Sequence, residues 1–176
     1  MNRRHLALPR VWMLTDERHG EAPEALVARL PRDVGVVVRH YSLPLRERIA
    51  LAKRLSRTGR FTVFAGSEAE ARRAGADGVY GAARRPSRLP RLFPVHDGAE
   101  ILRAERANAA LLLLSPAFAT RSHQGSRALG PVRFGLLARR TTRPIIALGG
   151  MNERRWRRLR PLGAQGWAAI DAWIRT

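Results

Sequence analysis

Eight short apolar runs alternate with segments of helical spacing along the chain, and this alternation limits the possible fold more than any other feature. Residues 34–39, for example, are rich in valine and predict a strand, whereas residues 43–55 carry apolar side chains at the spacing of an amphipathic helix. Strands that alternate with helices predict βαβ units and a parallel sheet. Eight such units predict a closed (β/α)8 barrel, and an open, doubly wound sheet is the alternative.

The length of the chain requires this predicted barrel to be trimmed. The chain has 176 residues, whereas such a barrel typically has about 250 residues and rarely fewer than about 200. Residues 83–90 form a basic, proline-containing segment where a helix is expected, so the outer layer is shortened there. No linker divides the sequence, and we predict one domain over residues 1–176. The predicted strands are residues 11–16, 34–39, 61–64, 79–80, 92–96, 110–115, 144–148 and 166–170; the predicted helices are residues 22–30, 43–55, 68–74, 98–107, 132–140, 153–162 and 171–175.

Arginine dominates the charge of the chain. The formal net charge is +19, yet Lys53 is the single lysine. A basic surface attracts nucleic acid, whereas a GC-rich genome also favours arginine codons over lysine codons. The scarcity of lysine and the even spread of arginine favour the second explanation, so we do not expect nucleic acid as the main partner. An arginine-rich nucleic-acid-binding α/β domain is retained as the third functional hypothesis, and the charge would also attract anionic substrates.

The chain contains no cysteine, which excludes disulfides, a thiolate nucleophile and cysteine-based metal sites. No apolar run approaches the roughly 20 residues that span a bilayer, and Pro9 and Arg10 interrupt any signal-like segment near the start. We therefore expect a cytoplasmic protein without a membrane partner, and a homodimer is left open.

Small, hydrogen-bonding residues follow two of the predicted strands. The run at residues 144–148 leads into Gly149 and Gly150, and the run at residues 110–115 leads into the hydroxyl-containing segment 116–123. Ligands of parallel sheets bind at the carboxyl ends of strands, and glycine lets a phosphate approach backbone N–H groups closely. The pattern favours a phosphate site, with an ordinary glycine turn as the alternative. Neither a G-x-G-x-x-G motif after the first strand nor a P-loop is present, which disfavours a nucleotide site.

Six motifs, in the same order along the chain, resemble those of the thiamine phosphate synthases and their TenI relatives. They cover nearly the whole chain, and together they are fairly specific for the fold and the superfamily. The motifs are W-M-L-T-D at 12–16, V-V-R at 37–39, A-G-A-D-G-V at 74–79, S-P-A-F-A-T-R-S-H at 115–123, I-A-L-G-G at 146–150 and L-G-A-Q-G at 162–166.

This resemblance implies a TIM barrel of thiamine biosynthesis, a transferase that joins an aminopyrimidine pyrophosphate to a thiazole phosphate. It implies that the hydroxyls of Thr120 and Ser122 bind the thiazole phosphate. The backbone N–H groups of Gly149 and Gly150 would bind the same phosphate, and Arg39 would face the pyrimidine and the pyrophosphate. In that family, magnesium and basic residues hold the pyrophosphate as it leaves.

The carboxylates that bind magnesium in that family are missing from the matching positions. The family's Asn-Asp pair is Ala65-Gly66 here, and its second Asp falls at about Arg85. Because Mg²⁺ prefers carboxylate oxygens, we predict no magnesium and no other cofactor. One hypothesis is that Arg84, Arg85 and Arg88 neutralise a pyrophosphate in place of the metal, and a solvated basic loop is the alternative.

His96 follows the fifth predicted strand and aligns with a histidine that transfers protons in the TenI-type thiazole tautomerases. Imidazole titrates near neutral pH, which suits that chemistry. A histidine that is merely hydrogen-bonded in the barrel mouth is the alternative. We assign His40, Tyr80 and His123 to the same predicted substrate pocket.

We therefore expect an enzyme of the thiamine phosphate synthase type whose ligand is a small phosphorylated heterocycle. A TenI-like thiazole tautomerase, or a non-catalytic relative that binds a phosphate ligand, is the alternative. Asp16, at the end of the first strand, and Asp77, in a turn, are predicted to be structural.

Overall fold

Eight parallel strands form a closed barrel in the computed structural model, which describes residues 7–17, 23–119 and 127–173. Each strand pairs with the next in the sequence, and the last pairs with the first. The predicted (β/α)8 barrel is confirmed, and the open sheet is excluded. The strands are β1 (Val11–Thr15), β2 (Val34–Val38), β3 (Thr62–Ala65), β4 (Gly78–Tyr80), β5 (Arg91–Val95), β6 (Leu111–Leu114), β7 (Ile145–Leu148) and β8 (Ala164–Ala169).

Helices cover the outside of this barrel. None of those in the described ranges has the length and apolar character needed to cross a membrane. Ser67 caps its helix: its side chain accepts the N–H of Glu70, whose carboxylate accepts the N–H of Ser67. The helices are α1 (Pro23–Arg29), α2 (Leu45–Ser56), α3 (Glu68–Arg73), α4 (Gly98–Arg106), α5 (Gly130–Ala138) and α6 (Glu153–Leu159).

The predicted boundaries near the carboxyl end need correction. The predicted α-helix through residue 162 ends at Leu159, and Arg160–Leu162 form a 3₁₀ turn that includes Pro161. Proline lacks the N–H that would continue the α-helix. The last strand begins at Ala164 rather than at residue 166. Of the predicted terminal helix, the described residues Asp171–Trp173 form a 3₁₀ turn.

The outer layer is trimmed between β4 and β5, where residues 81–90 contain no helix. Beside β8, the ring of Trp173 stacks on that of Trp167, with centroids 5.1 Å apart and an angle of 10° between the planes. Trp173 also packs against the hydrophobic clusters on both sides of it. A loop and one aromatic ring therefore cover parts of the barrel that longer helices cover in a larger protein.

Trp12 lies inside the barrel, near the amino-terminal ends of the strands. Its side chain is fully buried, its indole N–H donates to the carbonyl of Pro9 at 2.7 Å, and its ring packs edge-on against Phe61. Gly35 of the neighbouring strand makes room for it, because a Cβ there would lie 2.5 Å from the indole ring. Trp12 thus fits into the barrel interior because the residue beside it on the neighbouring strand is a glycine.

Asp77 has the structural role predicted for it. Its carboxylate accepts the N–H of Thr62 at 2.9 Å, and its own N–H donates to the carbonyl of Thr62 at 2.7 Å. These bonds join the turn before β4 to the start of β3, at the end of the barrel opposite the strands' carboxyl ends.

We predict that Gly35→Ala lowers the free energy of unfolding by about 1–3 kcal/mol, because the new methyl group would overlap the Trp12 ring. Urea denaturation followed by circular dichroism measures the change.

Gly135→Ala in α5 is the matched control for this substitution. A Cβ at Gly135 would make an ordinary 3.4 Å contact with Leu162, and alanine has the higher helix propensity. The control is expected to keep or raise stability. An equal loss in both variants would contradict the account of the Trp12 contact.

Candidate phosphate-binding mouth of the barrel

The carboxyl ends of the strands meet at one rim of the barrel, because all eight strands are parallel and the sheet is closed. Arg39 follows β2 and Tyr80 ends β4 at this rim, while His96 follows β5 and Gly149 follows β7. The structure therefore places these predicted site residues around one opening, as the strand predictions required. Thr120, Ser122 and His123 lie outside the described residues, so their roles remain predictions.

The turn at Gly149 and Gly150 lies directly against the loop after β6. Both glycines have positive φ, at +93° and +59°. A Cβ on Gly149 would lie 2.9 Å from the Cα of Pro116, and a Cβ on Gly150 would overlap the carbonyl oxygen of Ala119. The N–H of Phe118 donates to the carbonyl of Gly149 at 3.1 Å. Glycine is thus required here by backbone conformation and by the close approach of the two loops.

This contact brings the two predicted phosphate-binding segments together. Ala119 touches Gly150 and is the last described residue before Thr120. Close approach between a glycine turn and a neighbouring loop also leaves backbone groups near any ligand in the mouth. The arrangement agrees with a phosphate cradle, and an ordinary glycine turn stays the alternative.

Arg155 of α6 joins this side of the mouth, and the sequence interpretation missed it. Its guanidinium donates to the carbonyl of Gly150 and lies 5.2 Å from the centroid of the Phe118 ring. Its side chain is exposed. The signal that could have found it is its place in the first turn of a helix that follows a strand, since helical side chains tilt towards the amino terminus and so towards the rim.

The opposite side of the mouth is an alternating row of aromatic rings and guanidinium groups. The guanidinium carbon of Arg39 lies 5.9 Å from the ring centroid of Tyr80 and 5.7 Å from that of Tyr41. The guanidinium carbon of Arg48, on α2, lies 5.4 Å from the Tyr41 centroid and 5.2 Å from that of Phe64. Such distances are within the range of cation–π attraction. Arg48 is the second site residue that the sequence interpretation missed.

Tyr80 stands at the inner end of this row. Its side chain belongs to the interior cluster of the barrel and is only 8% exposed. Burial raises the pKa of its hydroxyl, and the nearby positive charge of Arg39 partly offsets this increase. The hydroxyl is therefore neutral at physiological pH and can donate a hydrogen bond in the mouth.

The space next to Gly66 does not suit a magnesium ion. A Cβ on Gly66 would overlap the carboxylate of Glu70, so this carboxylate fills the place beside the glycine. The carboxylate is already committed, because it accepts the N–H of Ser67 at 2.7 Å. That bond is the main reason that the pKa of Glu70 is lowered, and the charge of Arg48 lowers it further.

The described part of this side offers no further cluster of metal ligands. Among the residues that the structure describes, no group of three or more His, Asp and Glu side chains could hold a metal ion. Apart from the Glu70 carboxylate, the row carries the cations of Arg39 and Arg48, which would repel Mg²⁺. The donor set that the described residues provide therefore does not fit the magnesium that the family resemblance implies.

The basic segment after β4 is anchored by its backbone. Glu68 of α3 accepts the N–H of Arg88 at 2.9 Å and the hydroxyl of Ser87 at 2.8 Å, and it pairs with Arg72. The side chains of Arg84, Arg85 and Arg88 are exposed. This exposure agrees with the solvated loop that the sequence left as the alternative.

His96 and His40 lie in different surroundings. His96 is half exposed, and its Nδ1 lies 2.8 Å from the carboxylate of Glu100, which also accepts the backbone N–H of His96 at 2.7 Å. His40 is buried beside Thr15, with 3.2 Å between Nδ1 and the hydroxyl oxygen, and lines a cavity of about 560 Å³ between α1 and α2. Tyr80 faces the barrel interior instead, so His40 and Tyr80 face different spaces.

The fold and the rim define a (β/α)8 barrel of the class that binds its ligands at the carboxyl ends of the strands. Residues 93–173 match the family model described as thiamine monophosphate synthase. The resemblance to the thiamine phosphate synthase/TenI superfamily is thereby confirmed over β5 to β8, which includes the glycine side of the mouth. Comparison with curated proteins gives no significant match.

Solved structures share the fold at low sequence identity. Thiamine phosphate pyrophosphorylase from Pyrococcus furiosus is 22% identical with a TM-score of 0.74, over 94% of this chain and 86% of that one. The enzyme of the same name from Bacteroides thetaiotaomicron is 16% identical with a TM-score of 0.64, over 93% and 83%. FabK from Thermotoga maritima is 14% identical with a TM-score of 0.72, over 95% and 59%. At these identities, the matches establish the fold alone.

We predict that Glu68→Gln destabilises the protein at neutral pH and has little effect in acid. The bonds from Arg72, Arg88 and Ser87 lower the pKa of Glu68 from 4.5 to about 2. The ionised carboxylate therefore stabilises the folded state above about pH 4.5, and this contribution is lost as the pH falls towards 2.

Urea denaturation of both proteins at several pH values tests this. The difference between them should be constant near neutrality and should shrink in acid. A difference that is independent of pH would contradict the anchoring role of the carboxylate.

Proposed function

We propose that this protein is a thiamine phosphate synthase-like enzyme that binds a small phosphorylated heterocycle, a thiazole phosphate, in the mouth of the barrel. The observation that carries the proposal is the glycine turn after β7, packed against the loop after β6. The family match supports it, because the matched residues include both loops.

On the glycine side of the mouth, backbone N–H groups and side chains can donate hydrogen bonds to a phosphate. The backbone N–H groups of Gly149 and Gly150 and the hydroxyls of Thr120 and Ser122 would donate to the phosphate. Arg155 is held beside them by Gly150 and adds a charge-assisted donor at the edge of the site.

On the arginine side, Arg39 would face an aminopyrimidine diphosphate. In the proposed transfer, the thiazole nitrogen forms a bond to the exocyclic carbon of the pyrimidine as the carbon–oxygen bond to diphosphate breaks. The electron pair of that bond leaves with diphosphate. The positive guanidinium groups stabilise the negative charge that develops on the leaving oxygen. In this proposal the step uses residues of the chain alone, and the lack of a metal-binding cluster among the described residues supports it.

Turnover of the two thiamine precursors tests the proposal. The protein is incubated with the aminopyrimidine diphosphate and the thiazole phosphate, with EDTA and separately with magnesium, and thiamine phosphate is measured by chromatography. We expect product under both conditions. If no product forms under either condition, the proposed transferase activity is wrong. If the protein still binds thiazole phosphate, the proposed binding site stands.

Gly150→Ala should weaken thiazole phosphate binding by roughly tenfold or more, because the new Cβ would displace the loop at Ala119. Gly75→Ala is the matched control: its φ is +66°, close to that of Gly150, but no neighbour lies within 4 Å of the new Cβ. The control carries the same backbone strain and should bind normally. Equal weakening in both variants would contradict the role of the glycine turn.

A thiazole tautomerase is the second candidate, and the pairing of His96 with Glu100 favours it. The carboxylate holds Nδ1 of the ring, which leaves Nε2 to accept a proton from carbon and return it elsewhere. His96→Ala should abolish exchange of the thiazole proton with deuterated solvent, measured by NMR. Unchanged exchange in this variant would exclude His96 as the proton carrier.

A further inference from the structure

We propose that Arg39 and Arg48, on either side of the Tyr41 ring, form a diphosphate-binding site that works without a divalent metal. The proposal rests on the proposed function and deepens it, since it names the groups that hold the second ligand and the charge that replaces the metal. It also adds Arg48, which neither the motifs nor the resemblance singled out.

The geometry places both guanidinium groups beside one exposed ring. Their carbons lie 5.7 Å and 5.4 Å from the centroid of Tyr41, whose side chain is 58% exposed. Tyr80 and Phe64 bound the row on its other two sides. Three aromatic rings therefore hold two long side chains in place, which reduces the entropy that they would lose on binding an anion.

Neither guanidinium forms an ion pair with a carboxylate that the structure describes. Within the described part of the chain, no carboxylate lies within 4.0 Å of Arg39 or Arg48. Other exposed arginines, such as Arg54 and Arg72, pair with glutamates. Glu70 of α3, whose pKa the charge of Arg48 helps to lower, has another role, because its carboxylate caps the helix through Ser67.

The hydrogen-bonding capacity of these arginines is also incomplete. The Nε atoms of Arg39 and Arg48 are buried, and neither has a hydrogen-bond partner among the described residues. A buried donor without a partner costs free energy, and an oxyanion would satisfy it. Guanidinium binds phosphate oxygens with two parallel hydrogen bonds, so two such groups match a diphosphate in charge and in donors.

The row lies beside Gly66, where the resemblance would place magnesium-binding carboxylates. The guanidinium of Arg48 reaches the ring of Phe64, and that ring lies 2.9 Å from the Cβ position of Gly66. Fixed cations in this position would neutralise a diphosphate directly. A magnesium ion would add charge that the site already supplies.

Titration calorimetry with inorganic diphosphate tests the site, first in EDTA and then with magnesium in excess over the anion. We expect binding in EDTA, and no tighter binding when magnesium is added. Binding that requires magnesium, or that tightens tenfold with it, would overturn the proposal.

Arg48→Gln is expected to weaken diphosphate binding by about tenfold or more in EDTA. Arg46→Gln is the matched control, because it removes the same charge from an exposed position on the same helix. If both variants bind equally weakly, the anion is attracted by net charge alone and the proposal is wrong.

Tyr41→Ala, at an exposed position, gives a second test: it removes the ring between the guanidinium groups and should also weaken binding.

Thiazole phosphate binding separates this inference from the function on which it rests. Arg48→Gln should bind thiazole phosphate as the unaltered protein does, since Gly149 and Gly150 lie on the other side of the mouth. If the unaltered protein binds thiazole phosphate but not diphosphate, the diphosphate site is wrong and the phosphate cradle stands. If it binds diphosphate but not thiazole phosphate, the phosphate cradle is wrong and the diphosphate site stands.

Discussion

The pairing of β1 with β8 is the contact on which the rest of the structure depends, because it closes the sheet. Gly166 permits it: a Cβ there would overlap the carbonyl of Arg10, which accepts the N–H of Trp167 at 2.9 Å. Closure brings the carboxyl ends of all strands to one rim. The loops after β6 and β7 then touch, and Arg39 reaches Tyr80 from two strands away. An open sheet would separate these groups.

The mouth that results has two unlike sides. One side is a glycine turn packed against a loop, with Arg155 at its edge. The other is a row of rings and guanidinium groups beside Gly66, where Glu70 fills the space that a metal ligand would need. Nucleotide composition can explain why arginine is abundant in this chain. It does not explain why two arginines that have no ion-pair partner among the described residues share one tyrosine. The proposed function depends on where these two arginines lie rather than on the net charge of the protein.

The sequence was sufficient to predict what depends on strand order. Gly149, Tyr80 and His96 were placed at one rim because each follows or ends an apolar run, and the ends of parallel strands must meet. Contacts made by helices were harder to predict. Arg48 and Arg155 reach the rim because helical side chains tilt towards the amino terminus, and a charged side chain on an outer helix is as easily explained by exposure to solvent. The bond between His96 and Glu100 depends on an i, i+4 spacing across a helix cap, which was visible in the sequence but ambiguous.

The measurement that tests the central claim most directly is a crystal structure of the protein grown with thiazole phosphate. The account predicts phosphate density within hydrogen-bond distance of the backbone N–H groups of Gly149 and Gly150, with the heterocycle directed into the mouth towards Arg39. Density for the ligand at another face of the barrel, or an empty mouth at saturating ligand, would contradict it.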